Sequence, residues 1–348
     1  MELLSLDNTE TPIGYPPGAR AKPARPGASL AGVWTYDVGL RVRFRGLARR
    51  QGLVWRGAAG WAEWSPFPDY HGADLVPWWR AAWEAAEQGW PEPVRTEVPV
   101  NCTVPALDPA AAHAWVRASG CRVAKVKVAE TGQPLSADLA RVEAVRDALG
   151  RGGAVRVDAN GGWALDQARR ALRQLARFDL EYAEQPCAGV EDLAALRRAL
   201  ARDGVGVPIA ADESIRLAAD PYRVSRLAAA DIAVLKVQPL GGVRACLEIA
   251  ERLGLPVVVS SALETSVGLR AGLALAAALP ELPYACGLNT AGLLAADPVI
   301  EPLIPVAGVL AVRPVEASPE RLAACAADTG TTALWQARLV ETQRLAAA

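Results

Sequence analysis

Lysine is almost missing from this chain. Of its 37 basic residues only four are lysine, Lys22, Lys125, Lys127 and Lys236, and arginine carries the positive charge everywhere else. Histidine is scarcer still. Neither His71 nor His113 falls at the end of a predicted strand, which sets histidine-based catalysis aside. A charge excess is also absent: 37 basic against 38 acidic residues leave a net charge of -1. That balance offers no basic face to nucleic acid and no polybasic patch to a membrane surface. The most apolar stretch, GLRAGLALAAALPELPYACGL, is broken by Arg270, Pro280, Glu281 and Pro283 and is not a membrane span. The six cysteines include no CxxC pair, so structural zinc and a disulfide framework are not expected. The first residues, MELLSLDNTETPIGYPP, lack the basic-then-apolar order of a secretory signal, and the cytoplasm is the expected compartment.

What is present has two grammars. Residues 1–32, rich in Pro, Gly and Ala and without periodicity, read as a flexible leader. DVGLRVRF, LARRQGLVWRG and AAGWAEWSP then read as strands of a small antiparallel sheet. In PWWRAAWEAAEQGW, the spacing of Trp79, Trp83, Ala86 and Trp90 predicts one packed helix face. Residues 33–95 thus form a compact α+β unit. From residue 96 short β-rich runs alternate with Ala/Leu/Arg-rich helical stretches: EVPVNCTV, VAKVKV, AVRVDANG, DLEYAEQP, VPIAADES, DIAVLKVQP, LPVVVSSA and LPYACGLNT. They recur roughly every 24 to 31 residues, natural lengths for a strand, a helix and two loops. Eight such strands imply a closed parallel barrel, with no obvious helix after the eighth.

Polar residues gather at the C-terminal strand ends, the face on which barrel active sites lie. They are Lys125 and Lys127 on the second strand, Asp158 and Asn160 on the third, Glu184 on the fourth, Asp212 on the fifth and Lys236 on the sixth. Three carboxylates on consecutive strands are costly unless neutralised, and a hard divalent ion such as Mg²⁺ neutralises them naturally; the alternative is that each caps a helix or pairs with an arginine. The period of two puts Lys125 and Lys127 on one face, where mutual repulsion should lower their pKa and leave a neutral base. Arginine cannot lose its proton and is barred from that role. A lysine base, a metal and an opposing cation suit removal of a proton next to a carboxylate, with an enediolate held by the positive charges. Schiff-base chemistry at a barrel lysine is the other enzymatic reading, and a barrel kept only for binding is the non-enzymatic one.

The motifs AKVKV, RVDANGGW, YAEQPC, IAADES, VLKVQPLGG and VVSSALETSVGL, with GWAEWSPF in the first unit, resemble the muconate-lactonizing branch of the enolase superfamily over about residues 37–315. The resemblance implies an α/β fold: a modified (β/α)7β TIM-type barrel over residues 96–306, capped by an α+β domain from 33–95 with a C-terminal contribution from 307–348. It implies Mg²⁺, with Mn²⁺ as a substitute, on Asp158, Glu184 and Asp212. Lys127 would be the base, Lys125 would tune it, and Lys236 would stabilise the enediolate or serve as the opposite-face acid/base. The implied partner is a small-molecule carboxylate. The implied reaction is syn loss of water from a cyclohexadiene carboxylate in menaquinone biosynthesis, with N-acylamino acid racemization or dipeptide epimerization as the alternative. Asn160, Ser260, Ser261 and Gly287 are the candidate substrate contacts, with backbone N–H groups of the helix after the serines as a carboxylate site; capping and turn hydroxyls are the plainer reading of the serines. Gly241 and Gly242 offer close backbone approach to a ligand or a plain loop. The turn near Arg45-Gly46-Leu47 is very short for a family that covers its site with a long loop there, so Arg43 or Arg45 could reach the pocket instead.

Overall fold

The computed structural model describes residues 32–44 and 46–348. Apart from Gly32, the expected leader lies outside the described residues, as does Arg45. Three antiparallel strands, β1 (Val33–Phe44), β2 (Leu47–Arg56) and β3 (Trp61–Trp64), build the cap sheet. Phe44 pairs with Leu47, so β1 and β2 are joined by a two-residue turn. The helix Val76–Trp83 follows, and it buries Trp78, Ala81 and Ala82. Of the predicted stripe, Ala86 is buried, whereas Trp79 and Trp83 are half-buried beside a face centred on Trp78. The α-helix gives way at Glu84 to a π-helical turn, Glu84–Gln88, which shifts the periodicity and leaves Trp90 beyond it.

Eight parallel strands follow: β4 (Glu97–Val104), β5 (Val123–Lys127), β6 (Ala154–Asp158), β7 (Leu180–Glu184), β8 (Ile209–Ala211), β9 (Ile232–Leu235), β10 (Val257–Val259) and β11 (Cys286–Asn289). They pair in the order β10-β9-β8-β7-β6-β5-β4-β11. Helical crossovers cover the outer face, which is why the strands are buried almost throughout and read as apolar runs. The barrel is closed by a parallel bridge between Ser260 and Gly287, with the Ser261 N–H donating to the Gly287 carbonyl at 3.1 Å. After β11 there is only the short 3-10 turn Ala291–Leu293, which accounts for the helix missing from the sequence pattern. β12 (Val309–Ala311) then pairs antiparallel with β4, so the chain stays on the barrel past residue 307. The last helix, Thr329–Ala347, packs on the cap. Trp335 meets Trp64 edge-on at 5.7 Å, and Arg338 donates to the carbonyls of Phe67 and Tyr70 at 2.8 Å. Among the described residues no helix is long and apolar enough to cross a membrane.

Two cap glutamates dock the cap by filling helix N-termini of the barrel. Glu84 accepts from the N–H groups of Val243 at 2.5 Å and Arg244 at 3.2 Å, opening the helix Val243–Leu253. Glu63 accepts from the N–H of Thr265 at 3.1 Å, its hydroxyl at 2.5 Å and the N–H of Gly268 at 3.0 Å, at the start of the helix Ser266–Ala278. Each places a negative charge where orphaned donors and the helix dipole favour it. Beside Glu63, burial first and the Glu63 charge second push the Glu264 carboxyl up to about 7. Glu264 therefore holds its proton more tightly in the folded chain than in the unfolded one. Its stabilising contribution is complete below about pH 4 and is lost as the pH rises through about 7. Glu264→Gln should flatten that loss, which is on the order of 3 kcal/mol. Urea unfolding of both proteins across pH 4 to 8 checks it; parallel curves would refute the assignment.

Candidate active site

At the C-terminal mouth of the barrel the period of two turns Lys125 and Lys127 inward from β5. Lys125 Nζ lies 2.8 and 2.7 Å from the two Glu184 oxygens and 3.3 Å from Asp158. Lys127 Nζ donates to Asp158 and, at 2.6 Å, to Asn160 Oδ1. From the far side of the barrel Lys236 reaches Asp212 at 2.5 Å. The carboxylates are 0–1% exposed and the lysines 5–9%.

For Lys125 these contacts reverse one expectation. The lysine pair was predicted to lower its own pKa, and burial does pull Lys125 down. The Glu184 and Asp158 charges outweigh burial and raise Lys125 above the usual lysine range. Glu184 moves the same way: burial and then Asp158 push it up to about 7 against the pull of Lys125. For Lys125 the neighbouring carboxylates decide the shift, while for Glu184 burial leads and the Asp158 charge adds to it. For Asp158 and Asp212 burial is outweighed by lysine, and both are held below the usual carboxylate range.

Eight of the ten predicted site residues line one cavity: Lys125, Lys127, Asp158, Asn160, Lys236, Ser260, Ser261 and Gly287. Glu184 and Asp212 are not on its wall; they lie beneath Lys125 and Lys236. The cap adds Phe44 and Phe67. Arg43 is not on the wall, and its guanidinium donates to the Gly46 carbonyl of its own turn. The helix N-terminus after the serines is already occupied: Glu63 takes the Thr265 and Gly268 N–H groups, and Asp297 takes that of Ser266 at 3.0 Å. It has no such donors left for a substrate carboxylate. Ser261 Oγ is 2.8 Å from Thr290 Oγ1. Gly242, at φ +124°, makes room for the Glu84 carboxylate of the cap, 2.4 Å from where a Cβ would stand, so its close approach serves docking.

Sequence reasoning missed Arg216, 7% exposed, which bonds Asp212 at 3.0 Å, Glu213 at 2.6 Å and the Tyr70 hydroxyl of the cap at 2.5 Å. The available signal was its i+4 spacing from Asp212. Gln185 was missed too. Its Oε1 accepts from the N–H groups of Asp212 at 2.9 Å and Ser214 at 3.1 Å, tying the ends of β7 and β8 together.

Among the described residues no three acidic, histidine or cysteine side chains stand together as a ready metal cage; each carboxylate is held by a lysine. The donor set nevertheless fits a hard divalent ion. Three carboxylates come from adjacent strand ends, Asp158 and Glu184 in direct register, and supply the hard oxygen donors that such an ion takes.

A capped (β/α)7β barrel with lysines facing each other across acidic strand ends defines a class of carboxylate-processing enzymes. Residues 109–317 match the enolase C-terminal domain-like family and residues 35–86 the enolase N-terminal domain-like family. The chain belongs to the enolase superfamily, whose enzymes use a divalent metal. It is 61% identical over 304 residues to o-succinylbenzoate synthase of Thermobifida fusca (strain YX), covering 87% of this chain and 93% of that protein. It is 53% identical over 298 residues to o-succinylbenzoate synthase of Mycolicibacterium smegmatis, covering 85% and 90%. In fold it matches muconate lactonizing enzyme from Pseudomonas fluorescens with a TM-score of 0.72 at 22% identity, over 85% of this chain and 98% of that one.

Gly287 has a structural duty that the sequence did not disclose. A Cβ there would stand 2.6 Å from Ser260 Oγ, at the seam that closes the barrel. Gly287→Ala should cost about 1–3 kcal/mol in denaturant unfolding, and adding Ser260→Ala should return part of it. Simple additivity of the two changes would show that the seam is not the cause.

Proposed function

We propose that this chain is an o-succinylbenzoate synthase, a lyase that dehydrates a cyclohexadiene carboxylate in menaquinone biosynthesis, acting in the cytoplasm. The observation that carries the reading is the convergence of Lys127 and Lys236, from opposite sides of the barrel, on one cavity beside Asp158. The strong likeness to proteins named for this activity favours it over racemization or epimerization, which would employ the same lysines. Likeness to N-succinyl Arg/Lys racemase from Bacillus cereus is at 19% identity and speaks to fold alone.

Asp158, Glu184 and Asp212 would hold the divalent ion, Mg²⁺ or in its place Mn²⁺. When bound, it supplies positive charge to the substrate carboxylate and lowers the cost of charge built up there. Lys127 Nζ removes the proton from the adjacent carbon as that C–H bond breaks into the enediolate. Lys236 faces the developing charge and the ring as a fixed cation. Lys127 then returns the proton to the hydroxyl leaving from the same face, so that one proton moves twice and water departs. Lys125 keeps Glu184 compensated and adds positive charge beside Lys127. Asn160 holds the Lys127 ammonium in place. Phe44 and Phe67 form an apolar wall for the ring.

The purified protein should convert the cyclohexadiene substrate to o-succinylbenzoate, lose activity in EDTA and regain it with Mg²⁺. Lys127→Arg should lower kcat by about 10²–10⁴ while the protein stays folded, because arginine keeps its proton. Exchange of the α-proton of an N-succinylamino acid in D₂O without any dehydration would overturn the reading in favour of a racemase. Borohydride trapping of substrate on a lysine, with activity indifferent to EDTA, would overturn it in favour of Schiff-base chemistry.

A further inference from the structure

One buried cation of the cap reaches the pocket wall and has no part in the chemistry above. Arg50, on β2, is 2% exposed. Its guanidinium donates to the carbonyls of Leu263 at 3.0 Å and Ala262 at 3.2 Å, and to the carbonyl and, at 3.0 Å, the hydroxyl of Ser65. A further bond, at 3.1 Å, runs to the Gln51 carbonyl. The Phe67 ring lies 4.6 Å beneath it. Every hydrogen-bond acceptor is a neutral oxygen, and two belong to residues that line the cavity.

Ala262 and Leu263 form a turn whose only bond of its own among the described residues is the Ala262 N–H donated to the Glu264 carboxyl at 2.7 Å, which leaves both carbonyls to be met from outside. Leu263 sits at φ +62°, a region leucine enters only when its surroundings impose it. The turn sends both carbonyls away from the cavity into buried space, where they need donors. Arg50 supplies them, and its planar fork spans several acceptors, which a lysine cannot do. A second line runs from the same guanidinium. Ser65 donates its N–H to Gln238 Oε1 at 3.2 Å, and Gln238 Nε2 donates to Ser65 Oγ at 3.3 Å. Gln238 stands two residues after Lys236.

We propose that Arg50 is a positioning residue for the dehydration: it fixes the Ser260–Leu263 wall of the pocket and, through Ser65 and Gln238, steadies the segment that carries Lys236. This rests on the function proposed above. Because the wall would bind substrate and transition state alike, its loosening is read in KM more than in kcat.

The test compares Arg50→Met and Arg50→Lys with Val145→Ala, a fully buried change on the helix Leu135–Leu149, which packs against β5 and β6 away from the 262–263 turn. Arg50→Met should raise KM about tenfold or more with kcat down by no more than about threefold, and Arg50→Lys should fall between it and the wild type. Amide hydrogen exchange over residues 262–268 should quicken in both Arg50 variants and stay unchanged in Val145→Ala. Should Arg50→Met fail to fold, Arg50→Lys carries the comparison. Equal KM in an Arg50 variant and Val145→Ala at matched loss of Tm, or unaltered exchange over 262–268, would overturn the proposal. Absence of dehydration by the wild-type protein would count against the function alone, since the exchange comparison needs no turnover and still decides whether Arg50 holds the wall.

Discussion

Three carboxylates buried side by side at the ends of parallel strands can exist only if positive charge is brought to them, and this requirement organises the mouth of the barrel. Lys125 answers Glu184, Lys127 answers Asp158, and Lys236 with Arg216 answers Asp212. Removing Lys125 would leave Glu184 buried without its cation, a far larger penalty than the net worth of the pair, while Asp158 and Asp212 each keep a second cation. The arrangement is therefore both held and strained. Electrostatics keeps the lysines in place, while burial first and the Asp158 charge second push the Glu184 carboxyl up to about 7.

The cap is tied to this centre by the same kind of interaction used in reverse. Glu63 and Glu84 leave the cap to meet the positive ends of barrel helices, while Arg50 and Arg338 donate into carbonyls that the fold leaves pointing inward. Tyr70 reaches Arg216 and so touches the charge network itself. With the β1–β2 connection reduced to two residues, the cap closes the pocket through fixed contacts rather than through a long loop at that turn. Phe44, at the end of β1, lies 5.3 Å from the Lys127 ammonium and brings an apolar surface to the reacting side.

Much of this was legible in the sequence because barrel strands announce themselves. A run such as VAKVKV is buried on both faces, and its polar interruptions fall at the reactive end. The eight strands, the missing last helix and the shared cavity of the lysines, Asp158 and Asn160 follow from that pattern. In the cap helix the buried face is centred on Trp78, with Trp79 beside it, and the π-helical turn at Glu84, which has no signature in hydrophobic spacing, leaves Trp90 past the helix. The serine helix was misread. Its free N–H groups looked available to substrate, yet the chain supplies its own anions from Glu63 and Asp297, each more than 30 residues or a domain away in sequence. Gly287 looked like a ligand contact and is also the seam of the barrel. Long-range partners of this kind leave no local trace.

The scarcity of lysine gains a sharper meaning from where the arginines went. Arg50, Arg141 and Arg156 are as deeply buried as the lysines, so burial alone does not separate the two residue types. Their partners do. Arg141 donates to the carbonyls of Leu107 and Lys127 as well as to Asp138, and Arg156 reaches Glu181, Asn101 and the Ala285 carbonyl. Each fork spans several acceptors and locks a piece of backbone, including the peptide that carries Lys127. Lysine has one compact donor head on a flexible stem, and its proton can leave. Among the described residues all three lysines are turned into the one cavity, where such a head faces carboxylates. The chain thus divides its cations by what each can do: permanent charge with a rigid fork for holding the walls, and a compact head for the carboxylates at the mouth of the barrel.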